Sequence, residues 1–213
     1  MSLITLTAPR SPISEAYRKL RTNLSFYSVD NPIQTLVVTS PTPNEDKSST
    51  VANLAVTMAQ SGRRTLLIDC DLRRPQIHEI FSLRAEPGLT NMVLGEAEKS
   101  PVQATDIENL YILTSGPTPP NPADLIGSGQ FDRILEEVKA EYDIILFDAP
   151  PVIAVTDATI LGAKVDGLLL VVSSGKTRRD HAERAKEQLE KAHVRIVGAT
   201  LTNAPKDSSV GSY

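Results

Sequence analysis

Six short apolar runs, most of them nearly continuous rather than alternating, constrain this chain more than any other feature. They are Thr35–Thr39, Thr65–Asp69, Leu110–Thr114, Ile144–Phe147, Gly167–Val172 and Arg195–Leu201. A strand with one face in water alternates apolar with polar residues, whereas an unbroken Val/Ile/Leu run suits a parallel strand covered on both faces. Parallel strands need crossover connections, and segments of helical period lie between the runs. These are Ser48–Gln60, with Gly62 just past its end, Gln130–Ala140 and Arg179–Ala192. In the last, Ala182, Ala185, Leu189 and Ala192 form one apolar stripe. The Pro117–Pro122 stretch sets up another helix start near Ala123. The alternation predicts an α/β fold: a doubly wound, mostly parallel sheet flanked by helices, with ligands at the carboxyl ends of the strands. No internal repeat or linker divides it, so residues 1–213 read as a single domain.

Ahead of the first strand, Ile13–Tyr27 reads as a separate amphipathic helix. At helical period Ile13, Ala16, Tyr17, Leu20 and Leu24 share one face, while Glu15, Arg18 and Arg21 point away from it. Taken alone, those charges are a solvated face with an internal Glu15–Arg18 pair. A net charge of −4 supplies no basic field for nucleic acid. The single cysteine, Cys70, rules out a disulfide framework and suits a reducing compartment. Cys70 reads as core, and His78, His181 and His193 as scattered surface residues that form no metal cluster. The start MSLITLTAPRSP has neither the basic residues nor the apolar run of a signal peptide, and no apolar stretch reaches bilayer length. A cytoplasmic location is expected.

The chemistry concentrates at the ends of three runs. Thr39-Ser-Pro-Thr-Pro-Asn-Glu-Asp-Lys47-Ser48-Ser49-Thr50 follows a strand and opens a helix. That is the setting of a phosphate-binding loop, where backbone N–H groups and a helix N-terminus meet phosphates. Lys47 would reach the β/γ-phosphates and the Ser48 hydroxyl would ligate Mg²⁺. The letters depart from G-x-x-x-x-G-K-[ST]: Pro41 and Asp46 occupy the two glycine positions, and Asn44 a third place where glycine is common. Leu66-Leu-Ile-Asp69-Cys-Asp71 ends a second strand in two carboxylates, and Ile144-Ile-Leu-Phe-Asp148-Ala-Pro-Pro151 ends a third in an acid and a rigid turn. Strand-end carboxylates beside a lysine–serine helix start are what a Mg²⁺–nucleotide site requires. Gly175-Lys176-Thr177 looks closer to a phosphate loop by its letters. It follows its strand too closely to wrap a phosphate, so it reads as a turn.

These residues resemble the bacterial tyrosine kinases of capsule and exopolysaccharide synthesis, the BY-kinases, from about Ser11 to Pro205. The likeness is carried by Ser11-Pro-Ile-Ser-Glu-Ala-Tyr-Arg-Lys-Leu-Arg-Thr-Asn-Leu24, the Lys47 loop and Asp69-Cys-Asp-Leu-Arg-Arg-Pro75. It continues through Gly88-Leu-Thr-Asn-Met-Val-Leu-Gly95, Pro119-Pro-Asn-Pro-Ala-Asp-Leu125, Phe147-Asp-Ala-Pro-Pro-Val152 and Thr156-Asp-Ala158. The resemblance implies a P-loop fold, ATP and Mg²⁺ as cofactors, and phosphoryl transfer to a tyrosine hydroxyl. It assigns Asn44, Asp46, Lys47, Ser48, Ser49 and Thr50 to the nucleotide loop, and Asp69 and Asp71 to a second acidic motif. Asp148 becomes the Walker B acid, and Asn203 is placed near the adenine. Ser48, Asp69, Asp71 and Asp148 would hold the metal, with Lys47, Asp71 and Asp148 catalytic and Asp71 taking the tyrosine proton. Glu15, Arg18 and Arg21 match the E-x-x-R-x-x-R element that joins subunits into a ring, which overrides the solvated-face reading. A homo-oligomer follows from that, with residues 1–30 as its oligomerisation element. Residues 204–213 would be a flexible tail carrying Tyr213, the expected phosphoacceptor, into a neighbour's site. A transmembrane activator, the polysaccharide copolymerase subunit, would recruit the chain to the inner face of the membrane.

Two departures from the family shape the alternatives. Asn and Asp tolerate positive φ better than other non-glycine residues, so the loop's shape can survive without glycine. The charge of Asp46 is a separate matter: a carboxylate about 4 Å from a phosphate charge costs on the order of 4 kcal/mol at an effective dielectric near 20. A weakened or non-catalytic assembly subunit is one alternative. The other is a ParA/MinD-like ATPase switch, although Thr42 stands where those proteins carry an additional lysine. In the second departure, Tyr213 stands alone at the carboxyl end, where the family has a tyrosine cluster. Tyr17 reads as helix core, and Tyr111 and Tyr142 as strand-flanking residues.

Overall fold

The computed structural model describes residues 3–27, 32–97 and 99–204. Helices α1 (Ile4–Thr7) and α2 (Pro12–Tyr27) lead into β1 (Thr35–Thr39), α3 (Lys47–Gln60), β2 (Thr65–Asp69), α4 (Ile77–Phe81) and α5 (Leu89–Leu94). A two-residue strand β3 (Gln103–Ala104) precedes β4 (Leu110–Leu113), α6 (Pro122–Gly127), α7 (Gly129–Glu141) and β5 (Ile144–Asp148). The described chain closes with α8 (Asp157–Gly162), β6 (Gly167–Ser173), α9 (Arg179–Lys191) and β7 (Ile196–Thr202). The sheet order is β3-β4-β2-β5-β1-β6-β7. Every pair is parallel except β3 with β4 at one edge.

The doubly wound arrangement expected from the apolar runs is present. All residues of β1, β2 and β5 are buried, and the strand period of two divides them between two cores. Leu36 and Val38 pack with Val51, Leu54 and Met58 of α3, while Val37 joins Phe131, Ile134 and Leu189 on the opposite face. Each fully buried Leu or Val contributes about 1.5–3 kcal/mol relative to exposure. Cys70 is buried, as its place after β2 suggested. Gly175-Lys176-Thr177 forms a turn leaving β6. Among the described residues no helix is long and apolar enough to cross a membrane.

Several expectations need correction. The packed side of α2 keeps Tyr17, Leu20 and Leu24 of the expected face and adds Ser14 and Arg21, whereas Ala16 and Ile13, which is 54% exposed, lie outside it. The Ser14 hydroxyl donates toward the carbonyls of Ala8 (2.8 Å) and Ile4 (3.1 Å), and Arg21 Nη1 donates to the Thr57 carbonyl of α3 at 2.9 Å. These polar contacts widen the packed side beyond the apolar residues and place Arg21 on it. Glu15 and Arg18 do point outward and pair with each other. His78 and His181 are half-buried, and His193 alone of the three is exposed. Elements of two to six residues, α1, α4, α5, α8 and β3, gave no periodic signal to read.

Candidate nucleotide and phosphoryl-transfer site

The site is built where β1, β2 and β5 end side by side. In the parallel register Val38 faces Asp148 and Asp69 faces Asp148, so two strand-end acids lie on adjacent strands. The turn after β5 is stitched to the loop after β1. Thr39 Oγ1 donates to the Pro150 carbonyl (2.7 Å), Val152 N–H to Ser40 O (2.9 Å) and Ile153 N–H to Pro41 O (3.2 Å). The two prolines stiffen this turn, and the bonds bring Asp148 up to the start of α3.

There the Lys47 ammonium lies 2.8 Å from Asp71 Oδ2 and 3.1 Å from Asp148 Oδ1. It also lies 3.1 Å from Ser48 Oγ, whose hydroxyl donates to Asp148 Oδ2. Burial alone would lower the lysine's pKa, but the Asp148 and Asp71 carboxylates outweigh it and hold the ammonium above its ordinary value. Burial raises Asp148 above the usual carboxylate range, against the pull of Lys47 and the Ser48 hydroxyl. Burial and the neighbouring Asp148 push Asp69 up to about 8. Thus one cation holds two buried carboxylates together in a place that a polyanion and a cation could occupy jointly.

The structure brings Lys47, Ser48, Asp71 and Asp148 into direct contact, but Asp69 turns elsewhere. Its Oδ1 accepts from the Asp71 N–H (3.2 Å), and its Oδ2 from the Gln76 and Ile77 N–H groups (3.1 and 3.0 Å). The expected metal set of Ser48 with three carboxylates is therefore not assembled. Among the described residues no group of three or more His, Cys, Asp or Glu side chains is placed to hold a metal. Asp69 instead shapes the turn that carries Asp71.

The glycine-free loop keeps its shape through the residues that replaced glycine. Asn44 and Asp46 both sit at φ 63°, in the left-handed region that Asn and Asp enter more readily than other side chains. Asp46 turns its carboxylate to Asn203, whose Nδ2 donates to Asp46 Oδ2 at 2.7 Å and to Ser173 Oγ at 3.0 Å. Asn203 thus stands beside the loop at the end of β7. Ser49 accepts at its carbonyl from Asn53 Nδ2 (2.8 Å), and Thr50 is buried with its N–H on the Asp46 carbonyl (2.9 Å). Tyr17 of α2 is half-buried; burial raises its phenol above the ordinary value, with Thr50 opposing and Asp46 adding to the shift. Glu15, Arg18 and Arg21 stand apart from this cluster on α2. Tyr213 and residues 205–213 lie outside the described residues.

One pair had no role assigned from sequence. Arg73, two residues past Asp71, forms a bidentate ion pair with the buried Asp157 at the start of α8. Its signal was only an arginine in Asp-Leu-Arg-Arg and an acid after Thr156, each indistinguishable from a surface charge.

A family model described as an AAA domain matches residues 45–178. Tyrosine-protein kinase YwqD of Bacillus subtilis (strain 168) is 45% identical, the alignment covering 100% of this chain and 91% of that protein. A putative tyrosine-protein kinase CapB of Staphylococcus aureus is 40% identical over 96% of this chain and 90% of its own length. Among solved structures, the chimerical protein CapA2B2 superposes with a TM-score of 0.92 at 38% identity, covering 96% of this chain and 90% of that one. The kinase domain of Escherichia coli tyrosine kinase ETK gives 0.92 at 32% identity, over 98% and 82%. MinD from Pyrococcus horikoshii OT3, solved with Mg-ADP, shares the fold alone, with a TM-score of 0.69 at 21% identity over 82% and 72%. With a strand-end acid pair around a helix-opening lysine and likeness across its whole length, the chain belongs to the family of bacterial tyrosine-protein kinases.

Proposed function

We propose that this chain transfers the γ-phosphoryl group of ATP to a tyrosine hydroxyl in the control of capsule or exopolysaccharide synthesis. The observation that carries the reading is the Lys47 ammonium set between Asp71 and Asp148 at the first turn of α3. The donor chemistry suits Mg²⁺: hydroxyl and carboxylate oxygens, too few for an all-protein cage, with the remaining places left to phosphate oxygens and water. Ser48 and Asp148, with Asp71, would hold the ion, and when bound it neutralises charge on the phosphates. Lys47 stays protonated and offers its ammonium to phosphate oxygens. The first-turn N–H groups of α3, around Ser48 and Ser49, add the positive end of a helix to the same place.

A tyrosine hydroxyl has a pKa near 10 and needs a proton acceptor as the new bond forms. Asp71 is assigned that task. Its Oδ1 accepts from the Arg74 N–H at 3.1 Å, which fixes the carboxylate's orientation. Asp69 is assigned to holding the turn rather than the metal. Tyr213 is the proposed acceptor, presented to a neighbouring subunit in a ring to which Glu15 and Arg18 contribute. A transmembrane activator of the copolymerase type would bring the kinase to the membrane.

The test is incubation with Mg·ATP followed by phosphotyrosine mapping, with Lys47→Met as control. Phosphate on Tyr213 that is absent from the control is expected. No phosphotyrosine would overturn the kinase reading, while label elsewhere but not on Tyr213 would overturn the acceptor. The presence of Asp46 in the loop favours one second reading, an assembly subunit without turnover; ring formation without phosphotyrosine or ATP hydrolysis would support it.

A further inference from the structure

We propose that Asn203 is a positioning residue for the phosphate loop, holding the Asp46 carboxylate away from the N-terminus of α3. The inference rests on the reading of residues 40–50 as a phosphate loop. Asp46 is the N-cap residue of α3, at φ 63° and ψ 24°, and its side chain makes no capping hydrogen bond. The left-handed backbone turns the side chain off the course by which an extended N-cap aspartate reaches the helix's unpaired N–H groups, while the positive end of the helix dipole still attracts its charge. Those same N–H groups are where a phosphate would bind. A carboxylate that settled there would occupy the anion site with the protein's own charge.

Asn203 supplies the competing partner. Its Nδ2 donates to Asp46 Oδ2 at 2.7 Å and is itself tied to Ser173 Oγ at 3.0 Å. The adjacent Thr202 Oγ1 reaches the Glu45 carbonyl at 3.4 Å. The ends of β6 and β7 therefore grip the side of the loop where its last residue would otherwise turn inward. Glycine at position 46 would need no such retention. Asn203 becomes necessary because this chain carries a charged side chain there.

The role differs from contact with a nucleobase, and the two separate experimentally. Mg·tripolyphosphate, which has no base, and Mg·ATP are titrated calorimetrically against the parent chain, Asn203→Ala, Asp46→Gly and the double variant. Asn203→Ala is expected to weaken both ligands by about tenfold, the worth of one hydrogen bond to a charged group. That loss should fall below about twofold when Asp46→Gly is also present, because coupled residues are non-additive. Asp46→Asn, which removes the charge, should relieve the loss as Asp46→Gly does. Weakening of ATP binding alone, or an equal loss in both backgrounds, would overturn the proposal and leave the phosphate loop standing. If Asp46→Gly binds neither ligand while folded, the phosphate-loop reading falls and the proposal falls with it.

Discussion

Arg73 forks onto Asp157, with Nε 2.9 Å from Oδ2 and Nη2 3.1 Å from Oδ1, and the carboxylate is wholly buried. The pair ties the turn carrying Asp71 to the first residue of α8, so the site and the opposite helical layer share one connection. Arg73→Ala leaves a buried carboxylate without its counter-ion and is expected to cost about 3 kcal/mol in urea denaturation. Arg73→Lys recovers only part, since an ammonium cannot make the two parallel bonds. Wild-type stability in Arg73→Ala would refute this account.

Lys47 has a structural task as well as the proposed catalytic one. Lys47→Met should abolish phosphotyrosine formation and also lower the stability of the ligand-free chain by about 3 kcal/mol, because Asp71 and Asp148 are left facing each other. Denaturation of the apo protein separates the two effects: an unchanged midpoint would mean the carboxylates find other compensation.

The left-handed loop residues predict an asymmetric mutational pattern. Asn44→Gly is expected to stay within about 0.5 kcal/mol of the parent, whereas Asn44→Ala costs about 1 kcal/mol, because alanine keeps the β-carbon at positive φ without the short polar side chain that eases Asn into that region. With Asp46 turned to Asn203, the Asn44→Gly/Asp46→Gly chain should bind Mg·ATP within about tenfold of the parent. A gap near a thousandfold would mean that the carboxylate meets the phosphates after all.

Asp166 clamps the start of β1. Its Oδ2 accepts from Gln34 N–H (2.9 Å), Thr35 N–H (2.8 Å) and Thr35 Oγ1 (2.7 Å). Burial works against the charged form, but these bonds prevail and lower its pKa below the ordinary aspartate value. A depressed carboxylate contributes stability that is present above its unfolded pKa and is lost as pH falls through the folded one. Asp166→Asn should therefore destabilise by about 1 kcal/mol at pH 7, the half-exposed carboxylate being partly screened by solvent. The difference from the parent should shrink as pH falls below about 4. Chemical denaturation across that range measures it, and a constant difference would refute the assignment.

The three charges of α2 should separate by role. Glu15→Ala/Arg18→Ala is expected to lower the mass seen by light scattering with little change in melting. Arg21→Ala should lower the melting temperature, through loss of its bond to Thr57 O. Equal effects on mass from all three would return Arg21 to the subunit interface.

Much of the fold was legible because burial on both faces leaves a local mark. Thr35–Thr39 or Ile144–Phe147 needs only its own composition to declare a parallel strand, and the helix at Ser48 needs only its spacing. The loop was legible from Lys47-Ser48 between strand and helix, despite its missing glycines. The short elements and the setting of α2 were not. A two-residue strand carries no period, and the place of Ser14 and Arg21 on the packed side of α2 comes from their finding carbonyls on other segments.

The sequence by itself determined the longer strands and helices, and that acids end strands beside a lysine that opens a helix. Only the tertiary structure decided how those groups pair. Asp148 reaches Lys47 across 101 residues because β5 lies next to β1 in parallel register. Asp69, equally acidic and equally placed at a strand end, is drawn to backbone N–H groups instead. The Asp46 carboxylate finds its partner in Asn203, 157 residues away, because the end of β7 lies beside the loop. Periodicity reports the surroundings of one segment; the partner of a buried charge depends on strand order, register and the direction of a neighbour's side chain, which are set when distant segments pack.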